Sequence, residues 1–155
     1  MIRPTVPADM PRLLELTADT GFFKPADVET LREVLADFFD EPDGHRCVTH
    51  EDGGRIVGFA YYAEASMTDR SWYLWWIAVD PSTQGKGVGR ELMRHVEDDA
   101  RRWGARLMLI ETSSVPQYEP TRRFYQRLGY EQEALLRDYY SDGDGLVVFR
   151  KRLAG

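Results

Sequence analysis

Cysteine is nearly absent from this chain of 155 residues, which contains only Cys47. A single cysteine cannot form an internal disulfide. His45 shares a predicted strand face with Cys47, but no third group completes a catalytic set, so a buried structural cysteine is favoured. The three histidines lack metal-ligand spacing, and we expect no metal site. Long apolar runs are also missing, since the longest, Tyr73 to Val79, is far shorter than the roughly 18 to 20 residues that span a membrane.

Positively charged side chains are also fewer than negatively charged ones. The chain has 20 Lys and Arg against 26 Asp and Glu, a formal net charge of -6. This balance argues against nucleic-acid binding and is compatible with cationic small molecules as ligands. The N-terminus carries charges and prolines where a signal peptide has an apolar core, so we expect a cytoplasmic protein without membrane contact. Length and a hydrophobic content of 43% predict one domain over residues 1–155.

What the chain does contain is a glycine-rich segment over residues 84–89, directly after its longest apolar run. Asp80-Pro81 ends the run, because proline removes a hydrogen-bond donor from a strand. Apolar residues then recur at helical spacing, at Val88, Leu92, Met93 and Val96. The segment is therefore predicted to form a helix N-terminus, where free N–H groups and the helix dipole bind anions. A solvated glycine loop is the alternative.

Two common phosphate-binding motifs do not fit this segment. A Walker A loop needs Gly-Lys-Ser/Thr, and a dinucleotide-binding turn needs glycine at the position of Arg90. The pattern V-x-P-x-x-Q-G-K-G-V-G-x-x-L, from Val79 to Leu92, instead resembles the acetyl-CoA-binding motif of the GCN5-related N-acetyltransferase (GNAT) superfamily. The resemblance implies acetyl-CoA as cosubstrate, with its pyrophosphate held by backbone amides. The residues implied are Gln84, Gly85, Lys86, Gly87, Val88, Gly89 and Arg90.

Several further patterns are local. Asp52-Gly53-Gly54 predicts a β-hairpin. The apolar spacings over Met10–Leu16 and Val28–Phe38 predict two amphipathic helices. The last two strands are predicted to be joined by a loop over Tyr140–Asp144. These patterns place the predicted elements in the order of one strand, two helices, three strands, a helix, a strand, a helix and two strands.

This order resembles the GNAT fold. That fold is α/β (α+β), with a mixed, mostly antiparallel central sheet, a splayed parallel strand pair and flanking helices. Trp72–Val79 and Arg106–Thr112 are predicted to be the parallel pair, joined by a right-handed helical crossover. The resemblance implies that the pantetheine arm of CoA inserts where these strands part and pairs with backbone groups of Ile77 and Val79.

A second motif, F-Y-Q-R-L-G-Y, runs from Phe124 to Tyr130. Proline before it and glycine within it predict a short helix. The string resembles the second motif of the family and places Tyr125 where many members have the tyrosine beside the departing CoA sulfur. The chain departs from the family at Tyr118 and Thr121, where many members have Asn and Ala. A tyrosine packed between helix and sheet is the alternative for Tyr125.

Acetyl transfer to an amine also needs a group that accepts a proton. Glu111, a carboxylate in an otherwise apolar predicted strand, is the candidate, and Glu64 at the end of the third strand is a weaker one. An ion pair between Glu111 and either Arg122 or Arg123 is the alternative. We therefore expect Tyr125 and Glu111 to be the catalytic residues.

Aromatic and acidic side chains are the candidates for the acceptor site. Phe22 and Phe23 lie between the first two predicted helices, where the family often lines its acceptor pocket, although core anchors are the alternative. Trp75 and the acidic side chains around the last loop suit a cationic amine. We expect a small-molecule amine as acceptor, with a peptide or protein amine, or a non-catalytic acyl-CoA sensor, as alternatives. Many relatives form homodimers, so a homodimer is a further expectation.

Overall fold

A computed structural model describes residues 1–154, over which seven strands and four helices form. The strands are β1 (Ile2–Pro4), β2 (Arg46–Asp52), β3 (Arg55–Glu64), β4 (Ser71–Val79), β5 (Leu107–Ser113), β6 (Glu131–Ser141) and β7 (Asp144–Arg152). The helices are α1 (Met10–Asp19), α2 (Pro25–Asp40), α3 (Val88–Arg102) and α4 (Glu119–Arg127). The observed order of elements is the predicted one.

The strands form one sheet in the order β1-β2-β3-β4-β5-β7-β6. β4 and β5 are parallel, whereas β2 is antiparallel to β1 and β3, and β7 is antiparallel to β5 and β6. The predicted fold class, a mostly antiparallel sheet with one parallel pair and flanking helices, is confirmed. None of the helices described over residues 1–154 is long and apolar enough to cross a bilayer.

Contacts within the chain divide it into two compact units. The first unit comprises Met1–Ala63 and Trp76–Asp98, and the second comprises Glu64–Trp75 and the chain from Asp99 onward. β4 and α3 each contribute residues to both units. Each unit has its own buried side chains.

Two amphipathic helices cover the core of the first unit. Leu13 and Leu16 of α1 and Leu31 and Leu35 of α2 are fully buried, at the three- and four-residue spacing that places side chains on one helix face. They cluster with side chains of the sheet, among them Cys47, Phe59, Tyr61 and Ala78. Burial raises the pKa of Cys47 to about 12, so its thiol stays protonated at neutral pH. The structural interpretation of this cysteine is confirmed.

Gly58 of β3 lies beneath the start of α3 with little room for a larger side chain. A Cβ there would lie 3.0 Å from Leu92 Cδ1, 3.1 Å from the Ala78 carbonyl oxygen and 3.2 Å from Val88 Cγ1. We expect Gly58→Ala to lower the free energy of unfolding by about 1–3 kcal/mol, because a backbone oxygen cannot turn aside as a side chain can. Denaturant unfolding measures this effect. An unchanged midpoint would show that α3 shifts without cost.

In the second unit, β5 separates a covered face from a more open one. Met108 and Ile110 are buried on one face, together with Phe149 of β7 and Tyr125 of α4. The opposite face of β5 carries Glu111, which is half-buried. The alternation of side chains along a strand therefore leaves this carboxylate on the less covered side.

The final hairpin is tighter than the sequence predicts. A loop over Tyr140–Asp144 is expected, whereas β6 and β7 leave only Asp142-Gly143 between them. Gly143 has a φ of 83°, and its N–H donates a hydrogen bond to Asp138 Oδ1 at 2.8 Å. Asp138 has a φ of 61° and lies in an irregular part of β6. The predicted boundaries were wrong because an irregular pairing of this kind leaves no periodic pattern in the sequence.

Candidate active site

One buried carboxylate, that of Asp80, holds the chain directly after β4. Its Oδ2 accepts hydrogen bonds from the guanidinium groups of Arg12 at 2.6 Å and Arg55 at 2.9 Å, and its Oδ1 accepts one from the Ser82 N–H at 2.9 Å. The hydrogen bond from Ser82 and those from the arginines lower the pKa of Asp80. Asp80 is therefore ionised at neutral pH and ties α1 and β3 to this segment. This role of Asp80 was not predicted from the sequence, although Asp before Pro is a recognisable signal for the N-terminal cap of a helix.

The glycine turn, residues 84–90, continues directly into α3. Gly85 and Gly87 have φ values of 82° and 83°, a region that favours glycine. The Gly87 carbonyl accepts a hydrogen bond from the Glu91 N–H at 3.0 Å, so the helical pattern begins here. Beyond the adjoining residues, no heavy atom lies within 4 Å of where a Cβ of Gly85 or Gly87 would stand. The turn therefore leaves open space at the positive end of a helix dipole, where an anion binds.

The side chains of the glycine turn divide by exposure. Val88 is buried and holds the helix start against the core, whereas Lys86 and Arg90 are exposed and add positive charge. Ile77 and Val79, the other residues predicted to bind CoA, are half-buried in the last part of β4. All the predicted cofactor-binding residues therefore belong to the first unit.

The parallel pairing of β4 with β5 covers the first part of β4. It joins Ser71–Leu74 to Leu107–Ile110, and β4 then continues to Val79. Ile77 and Val79 thus lie beyond these paired residues. Their backbone contact with pantetheine stays a prediction.

The residues predicted to line the acceptor site fall in different units. Phe22 and Phe23 lie between α1 and α2 in the first unit, both half-buried. Phe23 packs against Trp76 with ring centroids 5.6 Å apart, which favours its core-anchor alternative. Trp75 belongs to the second unit, is 47% exposed and stacks on Tyr73 at 4.3 Å. Its indole is therefore accessible to a ligand.

Glu111 lies close to the Tyr73 hydroxyl. Burial, and secondarily the Glu111 carboxylate, raise the pKa of Tyr73. The two arginines considered as ion-pair partners bind elsewhere: Arg122 donates to two backbone carbonyl oxygens, and Arg123 pairs with Glu119 at 2.7 Å. Among residues 1–154 neither arginine pairs with Glu111, so the ion-pair alternative is wrong.

Polar and aromatic side chains of the final hairpin lie near Glu111 in the second unit. Burial, and then the charges of Glu111 and other neighbours including Asp144, raise the pKa of Tyr140 to about 12. Ser113 Oγ is hydrogen-bonded to Asp144 Oδ1, which links β5 to the first residue of β7. Tyr140 therefore remains a neutral phenol at physiological pH.

Tyr125 of α4 is buried, with 4% of its surface exposed. Its ring centroid lies 5.9 Å from that of Phe149 and 6.0 Å from that of Tyr130. Burial raises the pKa of Tyr125, so the hydroxyl is a proton donor at neutral pH. Within the described part of the chain, that hydroxyl forms no hydrogen bond. The packing of the ring agrees with the alternative for Tyr125, a tyrosine packed between helix and sheet. The hydroxyl can still donate a hydrogen bond.

The histidines have structural partners. His50 Nε2 lies 2.6 Å from Glu91 Oε2 in the first turn of α3, and the hydrogen bond lowers the pKa of Glu91. His45 Nδ1 lies 2.5 Å from the Tyr61 hydroxyl. Over residues 1–154, no group of three or more His, Cys, Asp or Glu side chains has an arrangement that could hold a metal ion.

Comparison with known proteins gives consistent matches. The family described as "Acetyltransferase (GNAT) family" matches residues 11–130. The crystal structure of a protein from Desulfovibrio desulfuricans, assigned to the GNAT family of acetyltransferases, superposes with a TM-score of 0.95 at 33% identity and covers 99% of both chains. The match therefore extends over both units.

Two sequence relatives are similar over most of this chain. The N-alpha-acetyltransferase RimI of Mycobacterium tuberculosis is 29% identical over 145 residues, which cover 81% of this chain and 89% of that protein. The streptothricin acetyltransferase of Streptomyces lavendulae is 31% identical over 143 residues, which cover 90% of this chain and 69% of that protein. The names of these relatives specify different acceptors.

Proposed function

Because this chain belongs to the GNAT family of acetyltransferases, we propose that it transfers the acetyl group of acetyl-CoA to a primary amine by direct attack on the thioester. Membership makes the chain an acyltransferase, while the donor, the acceptor and the residue roles are proposals. The observation that carries them is the glycine turn, with its open space at the N-terminus of α3.

The glycine turn is suited to a pyrophosphate. A Cβ at Gly85 or Gly87 would stand in the space that the turn leaves open. The amides of residues 84–90 would hold the pyrophosphate, with Lys86 and Arg90 adding positive charge. Backbone groups of Ile77 and Val79 would bind the pantetheine arm. Bound acetyl-CoA supplies an activated acyl group, since a thiol of pKa about 8.5 leaves readily.

Two side chains of the second unit supply the proton transfers. The Glu111 carboxylate accepts the proton that the amine loses as its nitrogen bonds to the acetyl carbon. The Tyr125 hydroxyl donates a hydrogen bond or a proton to the departing sulfur. Burial raises the pKa of Tyr125, so its hydroxyl is protonated at neutral pH and is available to donate a hydrogen bond.

The acceptor is a small cationic amine in our proposal. The exposed indole of Trp75, stacked on Tyr73, offers an aromatic surface to a cation, and Glu111 lies beside Tyr73. The relative named streptothricin acetyltransferase supports a small molecule. The relative named an N-alpha-acetyltransferase keeps a peptide amine as the second candidate.

A calorimetric titration with acetyl-CoA, followed by an assay of thiol release with a panel of amines, tests the proposal. The panel contains small diamines, amino sugars and short peptides with free N-termini. Acetyl-CoA binding with amine-dependent release supports the transferase. Failure to bind acetyl-CoA with or without amine refutes it, and binding without release for any amine favours the acyl-CoA sensor.

Glu111→Gln tests the proton acceptor. We expect kcat/KM at neutral pH to fall by about 100-fold or more, because the amide cannot accept a proton. The rate recovers toward that of the wild type near pH 10, where an amine of pKa about 10 is already largely neutral. The pH–rate profile measures both effects. Glu64→Gln is the matched control, and a wild-type profile for Glu111→Gln would exclude Glu111 as the base.

Tyr125→Phe tests the group beside the leaving sulfur. We expect kcat to fall by about 100-fold while the Kd of acetyl-CoA stays unchanged, because only the donated proton is lost. Steady-state kinetics and calorimetry measure the two quantities. Tyr130→Phe removes a hydroxyl from the same aromatic cluster and serves as control. Equal kcat in the wild type and Tyr125→Phe across the pH range would remove Tyr125 from the mechanism.

A further inference from the structure

Arg122 joins α4 to the end of β5. Its Nη1 donates hydrogen bonds to the Ser113 carbonyl oxygen at 2.8 Å and to the Val115 carbonyl oxygen at 3.0 Å. Ser113 is the last residue of β5, and Val115 precedes a single helical turn, Pro116–Tyr118, that leads into α4. The Arg122 side chain is half-buried and forms no ion pair over residues 1–154. One guanidinium group on α4 therefore holds the residues at which β5 ends.

The first residues of β7 hold the same part of the chain. The Ser114 N–H donates to the Gly145 carbonyl oxygen at 2.9 Å, and the Gly145 N–H donates to Ser114 Oγ at 2.8 Å. Ser113 Oγ is hydrogen-bonded to Asp144 Oδ1 and accepts a hydrogen bond from the Val115 N–H at 3.2 Å. Because the end of β5 is already fixed to β7, the guanidinium group attaches α4 to a fixed point of the sheet.

These contacts lie between the two residues that are proposed to assist proton transfer. Glu111 stands two residues before Ser113 on β5, and Tyr125 stands about one helical turn after Arg122 on α4. We propose that Arg122 is a positioning residue, which sets where the Tyr125 hydroxyl lies relative to the Glu111 carboxylate. This inference rests on the proposed function, because the separation of the two groups matters only if both act on one reacting centre.

The proposed reaction needs both groups in reach of one acetyl carbon. Glu111 takes the proton of the attacking nitrogen as the N–C bond forms, and the Tyr125 hydroxyl donates to the sulfur as the C–S bond breaks. A displacement of about 1 Å in such an arrangement can lower the rate by about 100-fold. The far end of α4 is held separately, since Lys151 Nζ donates to the Leu128 carbonyl oxygen at 2.7 Å. Loss of the Arg122 contacts would therefore release the N-terminal end of α4 alone.

Arg122→Met tests the positioning role, because methionine keeps a long unbranched side chain but donates no hydrogen bond. We expect kcat to fall by about 10–100-fold while the Kd of acetyl-CoA stays unchanged, since the predicted cofactor-binding residues belong to the first unit. Arg122→Lys should restore part of kcat, because an ammonium group can donate to both carbonyl oxygens. Arg123→Met is the matched control, since the neighbouring Arg123 is exposed and pairs with Glu119. Wild-type kcat for Arg122→Met would overturn the proposal.

A double-mutant cycle distinguishes positioning from a general loss of structure. In the Tyr125→Phe background, Arg122→Met should change kcat by less than about threefold, because the hydroxyl that Arg122 positions is already absent. Steady-state kinetics of the two single variants and the double variant measure this coupling. An undiminished loss of kcat in the Tyr125→Phe background would show that Arg122 acts independently of Tyr125, and the proposal would be wrong.

Amide hydrogen exchange measures the attachment itself, whether or not acetyl transfer occurs. The amides of Ser114, Val115 and Tyr118 should exchange at least several-fold faster in Arg122→Met than in the wild type or in Arg123→Met. Amides of the Gly53-Gly54 turn should be unchanged. Equal exchange of the three amides in all these proteins would overturn the proposal. A wild type that releases no thiol with any amine refutes the proposed function and, with it, the positioning role, although faster exchange would still establish the attachment.

Discussion

Gly87→Asp is expected to abolish measurable binding of acetyl-CoA. The substitution places a carboxylate in the open space beside the N-terminus of α3, where the proposed pyrophosphate would lie. Repulsion between unit charges about 4 Å apart near a protein surface is about 4 kcal/mol, which corresponds to about a 1000-fold rise in Kd. Isothermal titration calorimetry measures this loss.

Gly87→Asn is the matched control for this experiment. Asparagine has the shape of aspartate and tolerates the positive φ of 83° at this position, but it carries no charge. We expect it to weaken binding far less than aspartate does. The difference between the two variants should also shrink as salt is raised, because ions screen an exposed charge. Acetyl-CoA binding within a few-fold of the wild type for Gly87→Asp would show that the glycine turn is not the phosphate site.

Asp80→Asn is expected to have the largest effect on stability. The substitution removes the more buried of the two carboxylates that pair with Arg12, whose side chain is only 20% exposed, and breaking a buried pair costs about 3–5 kcal/mol. For a chain of this size, the midpoint of thermal unfolding should fall by about 6–20 °C. Asp69→Asn is the control, since Asp69 also contacts two arginines but lies at the surface, and it should change the midpoint little.

The stability contribution of Asp80 has a defined pH dependence. Its pKa is lowered in the folded protein, so its contribution is fully present above the unfolded-state pKa of about 3.9 and is lost as the pH falls through the folded-state value. The gap in unfolding free energy between wild type and Asp80→Asn should therefore be constant from pH 6 to 8 and narrow below about pH 4. Urea denaturation across this range measures the gap. A gap that persists unchanged in acid would mean that the charge of Asp80 does not contribute.

Asp80 is also expected to affect acetyl-CoA binding indirectly, by fixing the position of the glycine turn. Its hydrogen bond to the Ser82 N–H fixes the chain that leads into the glycine turn. Asp80→Asn should therefore weaken acetyl-CoA binding under conditions where the variant remains folded. Unchanged affinity would limit the role of Asp80 to stability.

Much of the fold was predictable because its determinants are local. The Gly53-Gly54 hairpin, the buried faces of α1 and α2, and the start of α3 after the glycine turn each depend on residues a few positions apart. The last hairpin was predicted only approximately, since its boundaries depend on the irregular pairing of β6. The same distinction applies to the candidate site. The anion-binding turn could be recognised in the sequence from its glycines, whereas the residues that surround Glu111 could not be predicted from the sequence.

The sequence by itself thus determined which segments become helices and strands, and where a phosphate-binding turn stands. Only the tertiary structure decided which arginines hold Asp80, from 68 and 25 residues away, and that Arg122 and Arg123 bind elsewhere than at Glu111. It also decided that β6 remains an open edge. The physical reason is that backbone conformation follows from steric preferences and periodicity of nearby residues. The partner of a charged side chain, by contrast, is selected only when distant segments pack together.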